Sequence, residues 1–446
     1  MTPILPDDDS PRFVFARPGL VLVLIALLVR CGWLGLTWTS PLVGDEIDYH
    51  IRAQRHALGD VRMFKYPGLR PPVTEVVYGT IYDEHGPRPI GPRLWNVLMG
   101  SLLVLPVAAI GNRFGGRRVA WMAGLGAAAF PELVFFSTSL WSEPTYLLLS
   151  TTALALILEP DRPRWRWTVA GLAFGVAALT REVGLLVPLA VAPTLVWIER
   201  ARWRPALARS ALLLVGFVLV VGPWSAWASQ VNGERVGITL TTWFNVYIGN
   251  AIDPEVAKEN YERLGDFPAE RERRARVLAL RDIRERMPAW PFEKIVDVVP
   301  AMVGPNSFPL GRLLDERHLL TFSWSALDAG GVRMTLAVLT ILASYALLSL
   351  GAVGLILPPR PGPALLFAVI IAALWVGPLV TFGLSRFRLA FVPLFVVAAA
   401  GLVVAPRIRW DEASRTRRGV ALGVVLVLTV VFVSQVPGVL LDPTWG

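Results

Sequence analysis

The segment that decides the fold runs from Leu20 to Glu46, with the sequence LVLVLIALLVRCGWLGLTWTSPLVGDE. Its first part, Leu20–Trp38, is an almost unbroken apolar run of the length that a helix needs to cross a bilayer. The segment ends in Gly44, Asp45 and Glu46. Adjacent carboxylates at a membrane surface repel each other unless a cation or a shared proton lies close by. We therefore expect a membrane helix followed by an acidic pair at the bilayer surface.

The composition of the whole chain also indicates a membrane protein. Of its 446 residues, 54% are hydrophobic and 17% are charged, whereas a soluble domain carries about 25% charged residues. Tryptophan occurs 17 times, as is typical where aromatic rings lie at the membrane–water boundary. The single cysteine, Cys31, excludes a disulfide framework within the chain. The net charge of +9 comes almost wholly from arginine, which indicates first the base composition of the genome and second an attraction to anionic membrane lipid. We expect no nucleic-acid partner.

Apolar runs long enough for a membrane helix recur about eleven times. The sequence therefore predicts an all-α polytopic membrane protein. The predicted spans are Leu20–Trp38, Leu94–Ile110, Ala120–Thr138, Thr145–Leu158, Trp167–Thr180, Gly184–Ile198, Ala211–Trp227, Met334–Leu357, Ala364–Phe382, Leu389–Val404 and Val420–Val433.

Arginine is concentrated in alternate loops, which places those loops in the cytoplasm. We expect the protein in the inner membrane of a bacterial cell, with its N-terminus in the cytoplasm. Segments 39–93 and 228–333 then lie outside. We expect a membrane module at 1–227 that includes the outer loop 39–93, an outer subdomain at 228–333 and C-terminal membrane helices at 334–446. The arginines that fix this orientation are Arg12, Arg17, Arg113, Arg117, Arg118, Arg162, Arg164, Arg166, Arg200, Arg202, Arg204, Arg209, Arg360, Arg407, Arg409, Arg415, Arg417 and Arg418.

Both outer segments contain helical patterns. Asp48–Leu58 and Val73–Tyr82 carry aromatic and apolar residues on one side, which predicts short helices lying in the membrane interface. A solvated loop is the alternative interpretation. Pro268–Met287 is a charged helical stretch that predicts a small outer subdomain, too short to be an independent catalytic domain.

Three acids are the candidate catalytic residues: Asp45, Glu46 and Glu143. A carboxylate next to a hydroxyl acts as a general base, and carboxylate oxygens also hold divalent cations such as Mg²⁺ or Mn²⁺. Glu143 lies in a very short outer loop, where it can approach Asp45. The alternative for each acid is a role at the start of a helix.

Four arginines on the outer side are the candidate phosphate ligands: Arg70, Arg181, Arg386 and Arg388. The forked guanidinium matches phosphate oxygens, and arginine outside the cell opposes the positive-inside tendency. For any single arginine, the alternative is contact with lipid phosphate. Arg30 lies within the first span, where a structural partner is expected.

Several short motifs, in their order along the chain, resemble those of the GT-C superfamily of membrane glycosyltransferases. The resemblance is greatest to the family 39 type, which includes protein O-mannosyltransferases and the lipid A aminoarabinose transferase. One motif departs from the family, since Arg70 and Val73 replace its Lys and Leu. The motifs are Gly44-Asp45-Glu46, Leu69-Arg70-Pro71-Pro72, Arg93-Leu94-Trp95-Asn96, Pro131 to Ser142-Glu143, Leu179-Thr180-Arg181, Asn245-Val246-Tyr247-Ile248-Gly249-Asn250 and Arg386-Phe387-Arg388-Leu389.

The resemblance implies a GT-C-like fold and an inverting transfer of sugar from a polyprenyl-phosphate donor to a glycan, lipid or protein acceptor. It implies that Asp45 is the general base or an acid that orients the acceptor. It also implies that Glu143 assists, either with or without a divalent cation held by the two carboxylates. Arg70, Arg181 and Arg386 would hold the donor phosphate. The motifs, together with the position of one histidine close to the acid pair, add three further cavity candidates: His50, Arg93 and Asn250. A zinc site at His50 is not expected, because no third ligand is evident.

Two other functions remain open from the residues alone. A transporter or flippase of lipid-linked sugars would spread polar residues along the helices near the midplane, whereas here they are concentrated at the outer surface. A non-catalytic assembly subunit would tolerate loss of the acid pair.

Overall fold

The computed structural model describes residues 17–38, 40–60, 67–82, 86, 88–158, 163–314 and 331–441. Arg12 and Arg162, two of the predicted cytoplasmic arginines, lie outside the described residues, as do parts of the two predicted outer segments. Every regular element of three or more residues in the described ranges is helical, which confirms the predicted all-α class.

Twenty-one α-helices are described, with two notable 3₁₀ segments at Glu182–Leu185 and Ser385–Phe391. The helices are α1 Arg17–Thr37, α2 Asp45–Ala57, α3 Pro72–Ile81, α4 Ile90–Leu102, α5 Val104–Gly115, α6 Arg117–Ala129, α7 Pro131–Ser137, α8 Glu143–Ile157, α9 Trp165–Thr180, α10 Leu186–Ile198, α11 Trp203–Asn232, α12 Thr242–Asn250, α13 Pro254–Tyr261, α14 Pro268–Glu285, α15 Trp290–Val303, α16 Ser307–Leu314, α17 Val332–Ile356, α18 Pro361–Val380, α19 Val392–Val404, α20 Pro406–Glu412 and α21 Arg415–Leu441.

Each of the eleven predicted spans contains a helix, but the count of eleven crossings is not confirmed. Seven helices within the described ranges are long and apolar enough to cross a membrane, and a bent pair raises the number to eight. The helices α8 and α9 have 15 and 16 residues, shorter than the roughly 20 that a straight crossing needs. The chain is nevertheless a multi-pass membrane protein.

The bent pair is formed by α6 and α7, which meet at 54°. Pro131 begins α7, and proline cannot donate the backbone hydrogen bond that would continue α6. Arg30 of α1 is fully buried and donates to the carbonyl oxygens of Ala128 and Ala127, at 2.9 and 3.1 Å. These are among the last carbonyls of α6, which lack partners within the helix. The expected structural role of Arg30 is therefore to cap a broken helix.

Small residues allow the membrane helices to pack closely. A Cβ atom on Gly171 of α9 would lie 2.0 Å from the carbonyl oxygen of Leu213 in α11. A Cβ on Gly216 of α11 would lie 2.2 Å from the carbonyl oxygen of Thr168 in α9. Glycine at both positions lets the two backbones touch, as is common where helices associate in lipid.

The two short helices predicted in the first outer segment are α2 and α3, and they pack against each other. Helix α2 begins at Asp45, three residues before the predicted start. Gly44 precedes it with φ of 56°, a conformation that favours glycine because it has no Cβ. The charged stretch predicted at Pro268–Met287 is α14, which packs on α12.

Candidate active site

A cavity of about 690 Å³ opens between α2, the loop before α8, the end of α9, α12, α14, α18 and the 3₁₀ segment Ser385–Phe391. Five of the predicted site residues line it: Asp45, Arg70, Glu143, Arg181 and Arg386. They come from distant parts of the sequence. The fold therefore brings two of the three predicted acids and three of the four predicted arginines to one cavity.

The two predicted acids that line the cavity are both the first residues of helices. Asp45 begins α2 after Gly44, and Glu143 begins α8 just before Pro144. The N-terminus of a helix carries partial positive charge and favours a nearby carboxylate. The sequence left two roles open for each acid, a catalytic role and a role at the start of a helix. Both acids lie at a helix start and also line the cavity.

Asp45 forms an ion pair with Arg386, with 2.7 Å between Oδ2 and Nη2. Burial raises the pKa of Asp45, but the neighbouring Arg386, Arg70 and Arg181 outweigh it and bring that pKa below its ordinary value. The carboxylate of Asp45 is therefore ionised at neutral pH. The guanidinium of Arg386 also lies 4.8 Å from the ring centre of Trp141, within the range of a cation–π contact.

Glu143 pairs with Arg181, with 2.6 Å between Oε1 and Nη1. The same Nη1 donates to Oγ of Ser142 at 3.1 Å, and Oγ of Ser142 is 2.9 Å from the hydroxyl of Tyr49. Ser142 therefore connects the phenol of α2 with the guanidinium at the end of α9. Burial raises the pKa of Tyr49, so the phenol keeps its proton.

Arg70 lies at the edge of the cavity next to the stiff pair Pro71 and Pro72. Its Nε is 3.3 Å from Oδ2 of Asp48, whose Oδ1 accepts a 2.8 Å bond from Arg52. The Asp48 carboxylate therefore holds Arg70 in position. About 40% of the Arg70 side chain remains exposed.

Several buried polar atoms of the cavity have no hydrogen-bond partner in the part of the chain that the structure describes. They are Nε and Nη1 of Arg386 and both carboxylate oxygens of Glu143; Glu143 lies against Arg181 without a hydrogen bond of ordinary geometry. Buried polar atoms in proteins are nearly always bonded. These four atoms belong to residues of the cavity lining, and their bonding capacity is not used within the described ranges.

Glu46 and Arg388 lie away from the lining of this cavity, contrary to expectation. Glu46 is fully buried, forms an ion pair with Arg312 and accepts from the backbone N–H of Leu140 at 2.9 Å. Adjacent side chains on a helix point about 100° apart, so Asp45 and Glu46 cannot face the same space.

Arg388 is buried in the protein interior with Glu132 of α7. Its Nε lies 3.2 Å from Oε2 of Glu132, and that oxygen also accepts from Asn306 at 2.9 Å. Nη1 of Arg388 donates to the carbonyl oxygen of Met302 at 3.1 Å. Arg388 therefore fixes the 3₁₀ segment that carries Arg386, and its charge is satisfied within the protein.

The three further cavity candidates, His50, Arg93 and Asn250, also lie outside the lining. Nδ1 of His50 is 2.8 Å from the hydroxyl of Tyr82. Arg93 donates to the carbonyl oxygen of Ser40 at 2.8 Å, just after the end of α1. Nδ2 of Asn250 donates to the carbonyl oxygen of Val380 at 2.9 Å. Each connects loops or helix ends, so the motifs identified residues with structural contacts and not residues of the cavity lining.

The divalent-cation prediction for Asp45 and Glu143 finds no support in the donor set. Within the described ranges, no three His, Cys, Asp or Glu side chains form a group that could hold a metal ion. Both carboxylates already lie against arginine, which supplies the positive charge that a cation would bring. The residues do not fit a metal, and no step below depends on one.

Tyr49 and Ser142 are cavity-region residues that sequence reasoning missed. Tyr49 follows Asp45 by four positions, and residues four apart share a helix face. That spacing was a usable signal once α2 was taken to begin at Asp45. Ser142 directly precedes Glu143, but no sequence pattern predicts that Ser142 contacts Arg181.

A second part of the lining comes from segment 234–245 and α14. We call this part the lip; its charged members are Glu234, Arg235, Glu272, Arg273 and Arg276, and it also contains Thr239 and Trp243. Glu272 accepts from the backbone N–H groups of Trp243 and Phe244 at 2.8 Å each. Burial raises the pKa of Glu272 to about 7, although these two bonds and the Tyr261 hydroxyl lower it.

Comparison with known proteins supports the same architecture. The model of the dolichyl-phosphate-mannose-protein mannosyltransferase family matches residues 70–227, about a third of the chain. That segment contains Arg70, Glu143 and Arg181, whereas Asp45 and Arg386 lie outside it. A search of curated proteins found no match.

Solved structures match over almost the whole chain. The oligosaccharyltransferase of Archaeoglobus fulgidus in complex with Zn and sulfate has a TM-score of 0.51 and 16% identity, with 91% of this chain and 51% of that chain covered. The chain has the GT-C fold. AglB from the same organism, in complex with an inhibitory peptide and a dolichol-phosphate, gives a TM-score of 0.50 and 13% identity, with 94% and 55% covered.

The GT-C fold here spans about half the length of those archaeal chains. ArnT from Cupriavidus metallidurans bound to undecaprenyl phosphate is 19% identical, with 90% of this chain and 82% of that chain covered. Its TM-score of 0.43 is too low to carry an argument. The resemblance inferred from the motifs is confirmed at the level of fold.

Proposed function

We propose that the chain is a glycosyltransferase that moves a sugar from a polyprenyl-phosphate donor to a hydroxyl group of an acceptor. The observation that carries the proposal is the pairing of Asp45 with Arg386 and of Glu143 with Arg181 in the lining of one cavity. A base and phosphate-binding cations are then available side by side, as transfer from a sugar phosphate requires.

The cavity suits a donor that is polar at one end and apolar at the other. Leu185 and Leu186 at the start of α10, and Leu374 and Pro378 of α18, belong to its lining. An isoprenoid tail entering beside these residues from the bilayer would bring its phosphate towards the arginines. The solved relative AglB holds a dolichol-phosphate, which supports this class of donor.

The leaving phosphate would be received by arginine. Nε and Nη1 of Arg386 have no partner among the described residues, and a guanidinium binds phosphate oxygens through two parallel N–H groups. Arg181 and Arg70 add positive charge to the same cavity. Fixed cations stabilise the charge that develops on the phosphate as the bond to the sugar breaks.

In the proposed step, the acceptor oxygen forms a bond to the anomeric carbon while the bond from that carbon to the phosphate oxygen breaks. The hydroxyl proton passes to the carboxylate of Asp45, and the electron pair leaves with polyprenyl phosphate. A single displacement inverts the anomeric centre. Glu143 holds Arg181 through Oε1, and its Oε2 orients a hydroxyl of the donor or acceptor.

The lowered pKa of Asp45 agrees with a particular form of base catalysis. A strongly ionised carboxylate is a weak base towards a neutral alcohol, whose proton is far less acidic. Once the carbon–oxygen bond has largely formed, that proton is acidic enough for Asp45 to accept. We therefore propose late proton transfer, with Asp45 orienting the hydroxyl before the bond forms.

We also propose that the cavity faces the outside of a bacterial inner membrane, with the N-terminus in the cytoplasm. The support is the arginine distribution in the sequence. Labelling of an introduced cysteine at Arg281, an exposed position of α14, tests the orientation: a reagent that cannot cross the membrane should modify it in intact cells.

The activity is tested with purified protein, a synthetic undecaprenyl-phosphate mannose and undecaprenyl-phosphate aminoarabinose as donors, and a membrane extract as acceptor. Release of undecaprenyl phosphate is followed by mass spectrometry. The wild type should consume one donor, Asp45→Asn should not, and Asp60→Asn should match the wild type. Asp60 is an exposed acid of the same outer loop that does not line the cavity. Equal turnover in Asp45→Asn and the wild type would contradict the proposal.

A further inference from the structure

The lip of the cavity contains three arginines that the proposed chemistry does not use: Arg235, Arg273 and Arg276. Arg235 lies just after the turn that ends α11, and the other two lie one turn apart on α14. They therefore approach the cavity from two separate elements. The arginines that influence the pKa of Asp45 are instead Arg386, Arg70 and Arg181.

Two carboxylates of the lip and one next to it line the cavity, but each is engaged within the protein. Glu234 pairs with Arg273 at 3.2 Å. Glu272 accepts from two backbone N–H groups at the start of α12. Glu182 accepts from the hydroxyl of Thr239.

Arg235 and Arg276 are left without a carboxylate partner in the described part of the chain. Arg276 lies over the ring of Trp243, 5.3 Å from its centre. This contact holds the guanidinium in place, and it leaves the N–H groups of that guanidinium free for a ligand. Arg235 is exposed at the same cavity, and its side chain forms no ion pair or hydrogen bond with the residues that the structure describes.

We propose that Arg235 and Arg276 bind an anionic group, phosphate or carboxylate, that the acceptor carries. The proposal rests on the proposed function, because it assigns the lip to the second substrate. Arginine is suited to both anions through its forked donor set. The inner arginines already balance Asp45, Asp48 and Glu143 and serve the donor, so a second anion has its own site at the lip.

Neutral hexose acceptors would gain nothing from this pair, whereas a phosphorylated or uronic-acid sugar would. The two arginines would therefore select acceptors that carry a negative charge away from the hydroxyl that reacts. Removal of both guanidinium groups should weaken binding of an anionic sugar by about 10-fold to 100-fold, the range typical of losing one or two charge-assisted hydrogen bonds.

The test is calorimetric titration of the full chain in phosphatidylcholine nanodiscs with glucose 6-phosphate, glucuronic acid and glucose. We expect at least one of the two anionic sugars to bind and glucose to bind at least 10-fold more weakly. The double variant Arg235→Gln/Arg276→Gln should lose this preference. The control Arg274→Gln should keep it, because Arg274 is exposed on the same helix and pairs with Glu270, outside the cavity lining.

Two further arms separate the lip from the donor site. Arg386→Gln should still bind the anionic sugar, and undecaprenyl phosphate is titrated independently. A wild type that binds the anionic sugar through the lip but never binds undecaprenyl phosphate would contradict the proposed donor and leave the lip assignment standing. Loss of sugar binding in Arg386→Gln, its persistence in the double variant, or its absence in the wild type would overturn the lip assignment.

A lipid headgroup is the other source of an anion. The titration is therefore repeated in nanodiscs that contain phosphatidylglycerol. Unchanged sugar binding supports the acceptor. If phosphatidylglycerol suppresses sugar binding in the wild type, Arg235 and Arg276 bind a lipid headgroup, and the proposal is overturned.

Discussion

Nη2 of Arg386 lies 2.7 Å from Oδ2 of Asp45, although the two residues come from opposite ends of the chain. Asp45 is the proposed base, and Arg386 is the proposed phosphate ligand. The two functions therefore depend on each other, since Arg386 helps to lower the pKa of Asp45 and Asp45 orients Arg386. The first two predictions follow from this relationship.

Asp45→Asn should reduce sugar transfer by about 10²-fold to 10⁴-fold, the usual contribution of a general base. Asparagine keeps the size of the side chain but cannot accept the proton. Turnover of undecaprenyl-phosphate sugar measures the effect, with Asp60→Asn as the matched control. A thermal unfolding midpoint like that of the wild type is required, so that a loss of activity is not a loss of folding.

Arg386→Gln should weaken donor binding and also shift the pH dependence of transfer. The pKa of Asp45 is held below its ordinary value by cations that include Arg386. Without that cation the pKa rises, so the acid limb of the rate profile should move to higher pH. The rate is measured at saturating donor from pH 4 to pH 8. An acid limb at an unchanged pH would show that Arg386 does not control the ionisation of Asp45.

Tyr49→Phe should have a smaller effect than loss of either acid. The change removes the hydroxyl that lies 2.9 Å from Oγ of Ser142 and leaves the ring in place. Ser142 then retains only Arg181 in this chain of contacts, so Arg181 is held less firmly. We expect roughly a 10-fold loss of turnover, in line with the net worth of one hydrogen bond. Ser142→Ala should give a similar loss, and a much larger loss in Tyr49→Phe would assign Tyr49 a direct role.

Glu132→Gln should destabilise the protein by about 3–5 kcal/mol, because it leaves the guanidinium of Arg388 buried without its carboxylate. The surface pair of Arg409 with Glu412 provides the control, since the Glu412 side chain is 49% exposed. Glu412→Gln should cost less than about 1 kcal/mol. Denaturant titration in detergent compares the two. Equal stability of the two variants would contradict the assigned role of the buried pair.

The stability of the helices around the lip should fall as pH rises. The pKa of Glu272 is raised from its ordinary value of 4.5 to about 7 in the folded protein. Between these values the folded state holds a proton that the unfolded state has released. The stabilisation is therefore complete below about pH 4.5 and is lost as pH rises through 7, with a slope of at most about 1.4 kcal/mol per pH unit.

Hydrogen exchange of the α12 amides measures this effect, after correction for the intrinsic pH dependence of exchange. Protection in the wild type should decrease from pH 5 to pH 8, and Glu272→Gln should show a flatter profile because it does not titrate. Identical profiles would exclude titration of Glu272 as the cause.

The sequence predicts the position of the helices better than the number that cross the membrane. Hydropathy locates a helix in every predicted run because apolar side chains must be buried or face lipid in any arrangement. It does not measure where a helix ends. The break at Pro131 and the short helices α8 and α9 depend on neighbours, such as Arg30, that supply partners to open helix ends.

The site residues were predictable where a charge stands at the end of a helix. Asp45, Glu143, Arg181 and Arg386 are such cases, since a polar residue there lies close to the membrane surface. The direction in which each side chain points was not predictable. Glu46 and Arg388 are one and two positions away from Asp45 and Arg386, yet each side chain points into the protein and meets a partner far away in sequence.

The three acids at Asp45, Glu46 and Glu132 all find their arginines, Arg386, Arg312 and Arg388, in the second half of the chain. During synthesis the first half is therefore made before the arginines that form ion pairs with these three carboxylates. They must stay hydrated, protonated or shielded by the insertion machinery until residues beyond 300 emerge. Final compaction of the early helices is consequently a late event of biogenesis, and a chain stopped near residue 230 should remain loosely assembled and open to proteolysis.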